Sequence, residues 1–349
     1  MKTEIIKINP DKFVDGEFES AAGIIKAGGL VVFPTETVYG LGADATNAKA
    51  AEKIYSAKGR PSDNPLIIHV ADPRDTDDFA YVNETYFRLA DKFMPGPLTV
   101  VLTAKDTVPM QTRAFLPTVA VRCPSHPIAR RLIRLSGVPI AAPSANLSGS
   151  PSPTKAHHVI DDMLGRVDMI IDGGDAEFGL ESTIVKIEEN GTLTLLRPGK
   201  ITIDDLLTVC PVVKIADAVT DKLHEGEVVL SPGMKYRHYA PKSPVFLIDA
   251  DFDVASEYIK KRAMEKSVAV LCYEEDIKIL KNKVPDVYVY AFGAENDEIL
   301  QAHLLFDILR DADKHNFDEI YAPLPKREGI GLALYNRMIR AAAYHIIRL

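Results

Sequence analysis

LVVF at Leu30–Phe33 runs directly into PTETVYGLG at Pro34–Gly42. Four consecutive apolar residues read as a buried strand. The nine that follow hold three hydroxyls, one carboxylate and two glycines. A polar junction after a strand accounts for hydroxyls. Donors packed beside glycines, which let a ligand come close to backbone, point instead to a ligand wall.

Outward from this stretch, apolar runs at Leu66–Val70, Leu98–Leu102, Val119–Arg122, Ile140–Ala142, Met169–Asp172, Ser182–Ile187 and Thr192–Arg197 predict further strands. Helical periodicity lies between several of them, at Ala48–Ala57, Glu84–Lys92 and Ile128–Leu135. The pattern predicts an α/β domain of mixed strand order over residues 1–210. Residues 211–244 read as a linker, with a motif at Ser231–Pro244, SPGMKYRHYAPKSP, that combines prolines, four basic residues and two tyrosines. Its residues Ser231–Pro241 are expected to form a mobile lid. From residue 245 to 349, apolar runs at Val245–Ile248, Val268–Cys272, Val287–Phe292 and Glu319–Ala322 alternate with helices near Ser256–Lys266, Asp297–Asp313 and Gly331–His345. A smaller parallel α/β domain follows from that alternation.

Composition narrows the classes. At 349 residues, with 46% hydrophobic and 26% charged residues, the chain reads as a soluble protein of two domains. The first residues MKTEIIKINP lack the apolar stretch and cleavage pattern of a signal peptide and no apolar run of about 18 residues occurs, so the expected location is the cytoplasm. Cys123, Cys210 and Cys272 are too dispersed for a disulfide framework or a zinc site. A net charge of -8 argues against a chain whose main task is gripping RNA, although Arg130–Arg134 could touch it locally. Neither a GxxxxGK[ST] loop nor a GxGxxG fingerprint is present. Gly329-Ile330-Gly331 lacks a third glycine and reads as a tight strand-to-helix turn rather than a phosphate cradle.

The remaining polar strings cluster at strand ends, where α/β sheets open onto ligands. They are Lys58-Gly59-Arg60-Pro61, Asn64, His69, Thr118 to Arg122, Ser144-Ala145-Asn146, Ser152, Glu181-Ser182-Thr183 and Arg197-Pro198-Gly199. Arg122 ends an apolar strand, where a charge needs a partner or a bound anion.

Taken in order, PTETVYGLG, Lys58-x-Arg60, Ser144-x-Asn146, ESTIV at Glu181–Val185 and SPGMKYRHYAP resemble the YrdC-type threonylcarbamoyl-adenylate synthases, in their longer two-domain form. The resemblance implies a YrdC-like twisted mixed sheet and a Rossmann-like C-terminal domain. It implies a nucleotidyltransferase that makes threonylcarbamoyl-AMP and pyrophosphate from L-threonine, bicarbonate or CO2, and ATP. By the same resemblance Thr37, His69, Arg122, Ser144 and Ser182 bind threonine, while Asn64, Thr118, Asn146, Ser152, Arg197, Tyr236 and His238 line ATP. Lys58 and Arg60 serve ATP and catalysis. Magnesium is expected on the phosphates, with no protein ligand nominated. The product is expected to pass to a separate threonylcarbamoyl transferase that modifies tRNA. A hydrogenase-maturation carbamoyltransferase is set aside for want of zinc-binding cysteine pairs. The alternative is a non-enzymatic RNA-binding or ribosome-assembly module.

Overall fold

The computed structural model describes residues 1–221 and 238–349. The chain divides into two compact units, Met1–Ser148 with Ser152–Lys235, and Gly149–Pro151 with Tyr236–Leu349.

In chain order the first unit contains β1 (Glu4–Lys7), α1 (Glu19–Lys26), β2 (Val31–Phe33), β3 (Gly40–Asp44), α2 (Ala48–Lys58), β4 (Ile67–His69), α3 (Glu84–Phe93), β5 (Leu98–Thr103) and β6 (Thr118–Arg122). It continues with α4 (Pro127–Ser136), β7 (Ile140–Ala141), α5 (Ala156–Met163), β8 (Met169–Asp172), β9 (Thr183–Ile187), β10 (Leu193–Arg197), α6 (Ile203–Leu207) and β11 (Val213–Ile215). Among the described residues these strands form one sheet in the order β1-β8-β2-β3-β7-β4-β6-β5-β9-β10-β11. Parallel and antiparallel pairs alternate irregularly along it, as in β4 with β6 and β5 with β6. The mixed order expected from the sequence is therefore present.

Three strands of this sheet were not legible, β1, β3 and β11, and β3 matters most. β3 lies inside PTETVYGLG, where two glycines mask a strand because glycine is depleted in sheets. Those glycines correct the ligand-approach reading. A Cβ on Gly42 would meet Phe33 Cε1 at 2.6 Å and Ile140 Cγ2 at 2.7 Å, and one on Gly40 would lie 3.3 Å from the Ala142 Cβ. They let β3 pack between the Phe33 ring and the β7 segment.

Helix ends deliver the polar residues. Asn47 caps α2 by accepting from the Lys49 and Ala50 amides, and Gly59 ends it in the left-handed region at φ 62°. That stop places Lys58 in the last turn. Pro127 opens α4, Gly137 closes it, and its apolar face packs with α1 in the core. Two of the three arginines on α4 have partners within the chain: Arg130 donates to the Ala71 carbonyl at 3.3 Å, and Arg131 forks onto Asp15.

The second unit contains β12 (Val245–Asp249), α7 (Phe252–Ala263), β13 (Val268–Cys272), α8 (Ile277–Lys283), β14 (Tyr288–Ala291), α9 (Glu298–Ala312), β15 (Glu319–Pro323), α10 (Gly331–Ala341) and β16 (Ile346–Arg348). Its sheet has the order β14-β13-β15-β12-β16, with every pair parallel. At the start of α10 the Gly331 amide donates to Glu298 Oε2 at 2.9 Å. A Cβ on Gly331 would sit 2.7 Å from Glu298 Oε1 and 2.8 Å from the Lys326 carbonyl. The helix start thus holds an internal carboxylate, in keeping with a structural turn.

Most of the expected lid, Ser231 through Arg237 and so Tyr236, lies outside the described residues. Tyr239, in the left-handed region at φ 63°, is buried in the second unit, stacked on Phe306 with the Arg337 guanidinium 5.6 Å from its ring centre. His238 is half-buried, its ring 5.6 Å from that of Tyr239.

Gly42→Ala should lower stability by about 1–3 kcal/mol through overpacking against Phe33 and Ile140. Urea unfolding followed by circular dichroism measures this, and an unchanged midpoint would show that β3 has room to spare.

Candidate active site

Strand register assembles one group of residues. β4 and β6 set His69 beside Arg122, and β5 sets Thr99 on the other side of Arg122. β5 also pairs with β9, so Thr99 reaches Ser182, just before that strand, with 2.7 Å between the hydroxyl oxygens. In β10 the register shifts between Leu195 and Arg197, and such an irregularity re-aims a side chain. Arg197 turns onto Ser182, donating from Nε to its carbonyl at 3.0 Å and from Nη2 to its hydroxyl at 3.1 Å. Gly199 makes this possible, since a Cβ there would lie 2.6 Å from the Thr183 amide nitrogen.

The loop after β2 closes over Arg122. Thr35 Oγ1 accepts from the Thr37 and Val38 amides, both at 3.2 Å, donates to the Val38 carbonyl at 2.6 Å, and lies 2.9 Å from Thr37 Oγ1. This side-chain-locked turn holds Glu36 against Arg122, with Oε1 2.7 Å from Nη2 and both side chains at most 5% exposed. The pair is out of line for a hydrogen bond: neither Glu36 oxygen, nor Nε or Nη2 of Arg122, has a hydrogen-bond partner. Charge alone holds it.

A second group gathers around Lys58. Its ammonium, 3% exposed, donates to the Ser144 carbonyl, to the Asn146 carbonyl at 2.6 Å and to Asn146 Oδ1 at 3.4 Å. Ser144 Oγ donates to Asn146 Oδ1 at 2.5 Å. Ser144, expected beside threonine, therefore bonds directly within the set expected beside ATP. Arg60 donates to the Asn64 and Pro65 carbonyls at 3.2 and 3.1 Å, and buried Asn64 keeps an Oδ1 without a hydrogen bond. Ser152 donates to Glu181. Thr118 begins β6 and Arg122 ends it, so the two stand about 13 Å apart along the strand.

Electrostatics distinguish the partners. Burial, and secondarily the Arg122 charge, lower the His69 pKa to about 3, so its ring is neutral at physiological pH. Its Nδ1 lies 3.3 Å from the Ile140 carbonyl. Burial also lowers His126, against the opposing pull of Glu36. The Cys123 thiol is pushed up to about 12 by burial and is no nucleophile at neutral pH. Sequence reading missed Glu36, Thr99 and Thr35 as site residues. Glu36 could have been found as the carboxylate inside an otherwise apolar and hydroxylic string, whereas Thr99 carries no signal beyond its place in a strand.

Lys58, Arg122 and Arg197 are buried in an α/β enzyme fold among hydroxyls and a neutral imidazole, residue chemistry that suits anions. The comparisons with known proteins specify it. A family model for Sua5, YciO and YrdC proteins, described as telomere recombination, matches residues 23–199, and one described as threonylcarbamoyl-AMP synthase, C-terminal domain, matches 201–343. The chain is 42% identical to the threonylcarbamoyl-AMP synthase of Pyrococcus abyssi over 99% of each chain, and 42% identical to that of Bacillus subtilis over 96% of this chain and 95% of the relative. Its fold matches the crystal structure of P. abyssi Sua5 complexed with L-threonine at TM-score 0.89 and 40% identity, over 99% of this chain and 100% of that one. E. coli YciO matches at TM-score 0.52 and 27% identity, over 56% of this chain and 96% of that one. The chain belongs to the threonylcarbamoyl-AMP synthase family.

His69 yields a pH prediction. Its folded pKa lies below the unfolded value of about 6.5, so the unfolded chain takes up the proton first and this residue's contribution to stability falls as pH drops from about 6.5 toward 3. His69→Gln should flatten the acid-side loss of stability seen in urea titrations between those limits. An identical slope in both proteins would contradict a neutral buried ring.

Proposed function

We propose that this chain joins L-threonine, bicarbonate or CO2, and ATP into threonylcarbamoyl-AMP with release of pyrophosphate. The reading is carried by the full-length match to synthases of that name and to P. abyssi Sua5 with L-threonine bound, together with the burial here of Lys58, Arg122 and Arg197. We assign the chemistry to residues 1–210, joined by 211–244 to the C-terminal domain at 245–349.

Chemistry supports a division of labour. Arg122 keeps guanidinium N–H groups without hydrogen bonds, and a planar fork suits a carboxylate, so it receives that of threonine. Thr37, His69, Ser144 and Ser182 supply neutral donors and acceptors for the substrate hydroxyl. Lys58, Arg60 and Arg197, with Asn64, Thr118, Asn146 and Ser152, serve ATP. Of these, Lys58 and Arg60 oppose the charge that builds on the α-phosphate as pyrophosphate leaves. Glu181 accepts from Ser152, and Glu36 lies against the Arg122 guanidinium. We assign magnesium to the phosphates and water, as is usual with nucleotides. The adenylate is a reactive mixed anhydride, and a separate tRNA-modifying transferase consumes it. Among the described residues no helix is long and apolar enough to cross a membrane, and we place the enzyme in the cytoplasm.

The test is to incubate purified chain with ATP, magnesium, bicarbonate and L-threonine, and to follow pyrophosphate together with the adenylate by mass spectrometry. Both products should require threonine and bicarbonate together. Valine should be a poor substrate, because groups placed for the hydroxyl would stay unpaired. Pyrophosphate release at the same rate without threonine would reject the assignment. Arg122→Lys should weaken threonine binding by about 1.5–3 kcal/mol, the range for hydrogen bonds to charged groups. A threonine titration that does not move would remove Arg122 from this role.

A further inference from the structure

We propose that Glu36 receives the α-ammonium of the substrate amino acid, so that Glu36 and Arg122 together form a receptor for a zwitterion. The inference rests on the reading of this site as a threonine site and adds to it a residue that selects the amino group.

Three observations carry it. First, Glu36 is 2% exposed and neither of its oxygens has a hydrogen-bond partner, while the Arg122 beside it is equally buried with Nε and Nη2 in the same condition. Buried charged groups in folded proteins complete their hydrogen bonds, because an unmet one forfeits much of its solvation without return. The contact between the two, 2.7 Å but out of line, balances charge and leaves the directional capacity of both groups open. A carboxylate accepts only and a guanidinium donates only. One ligand that satisfies both must offer a cationic donor and an anionic acceptor close together, as the two ends of an α-amino acid do.

Second, among the described residues the other buried carboxylates of the first unit are committed elsewhere. Asp44 accepts from the amide and hydroxyl of Thr46 at 2.8 and 2.7 Å, and Glu181 accepts from Ser152. An ammonium brought into a site that already holds Lys58, Arg122 and Arg197 needs an anion beside it, and Glu36 is the carboxylate that faces Arg122. Half-buried His126 also has an Nδ1 without a partner, and it is uncharged because burial lowers its pKa, so it adds no competing cation.

Third, Glu36 is held by backbone rather than by its own side chain. The Thr35 turn fixes the residues on either side, and the Glu36 carbonyl accepts from the Phe178 amide at 2.8 Å. A carboxylate fixed in this way is preorganised for a ligand.

Calorimetry on the full chain tests this with two ligands, L-threonine and the analogue in which a hydroxyl replaces the α-ammonium. Wild-type protein should bind threonine at least about tenfold more tightly than the analogue, the ratio for one charge-assisted hydrogen bond. Glu36→Gln should lose that preference by weakening threonine alone, and Glu36→Asp should restore part of it. If Glu36→Gln weakens both ligands equally, Glu36 merely holds Arg122 in place and the proposal fails. If Glu36→Gln does not fold, equal wild-type affinities for the two ligands still overturn the proposal, and Glu36→Asp upholds it by reducing the threonine preference and overturns it by leaving that preference unchanged. Wild-type protein that binds neither ligand would instead sink the threonine reading, and this inference with it.

Discussion

Burying an arginine is expensive unless something answers its charge, and much of the first unit is organised around answering Arg122. The residue ends a strand between two partners, so its backbone is fixed by β4 and β5 while its guanidinium faces the loop that follows β2. Glu36 can meet it there because Thr35 locks that loop with its own hydroxyl. β3 must then run close beside β2, which Gly40 and Gly42 permit. The chain of dependence runs from two absent side chains to one buried ion pair. It also explains why so short a string carries so much information: each polar residue in it has a distinct mechanical task.

The second group of cationic residues obeys a different logic. Lys58 is anchored by carbonyls and an amide of the Ser144–Asn146 loop, with no carboxylate among those bonds. Carbonyl dipoles solvate an ammonium through hydrogen bonds and fix its position. Arg197 is treated likewise by Ser182. Arg122 meets a carboxylate in Glu36, whereas the hydrogen bonds described for Lys58 and Arg197 run to carbonyl, amide and hydroxyl oxygens.

Most of the strands that carry the site were legible, because runs such as Leu98–Leu102 and Val119–Arg122 are largely apolar and short, the pattern of buried strands. β3 was not, since glycine hides a strand by removing the side chains on which strand patterns depend. The site residues were readable as residue types at strand ends. Their pairings were not: contact of Glu36 with Arg122, or of Thr99 with Ser182, follows from three-dimensional register, which no local window contains. The Gly331 turn shows the reverse case. A missing third glycine was enough to discount a phosphate cradle, and Glu298 supplies the physical reason.

That carboxylate has a wider meaning. Parallel sheets flanked by helices are a common nucleotide-binding architecture, and a helix start with open amides attracts phosphate wherever it occurs. In the second unit the protein supplies its own anion at α10, covalently tethered and therefore present at a local concentration that free nucleotides do not approach. At that helix start the Gly331 amide is therefore answered from within the chain before any outside anion arrives.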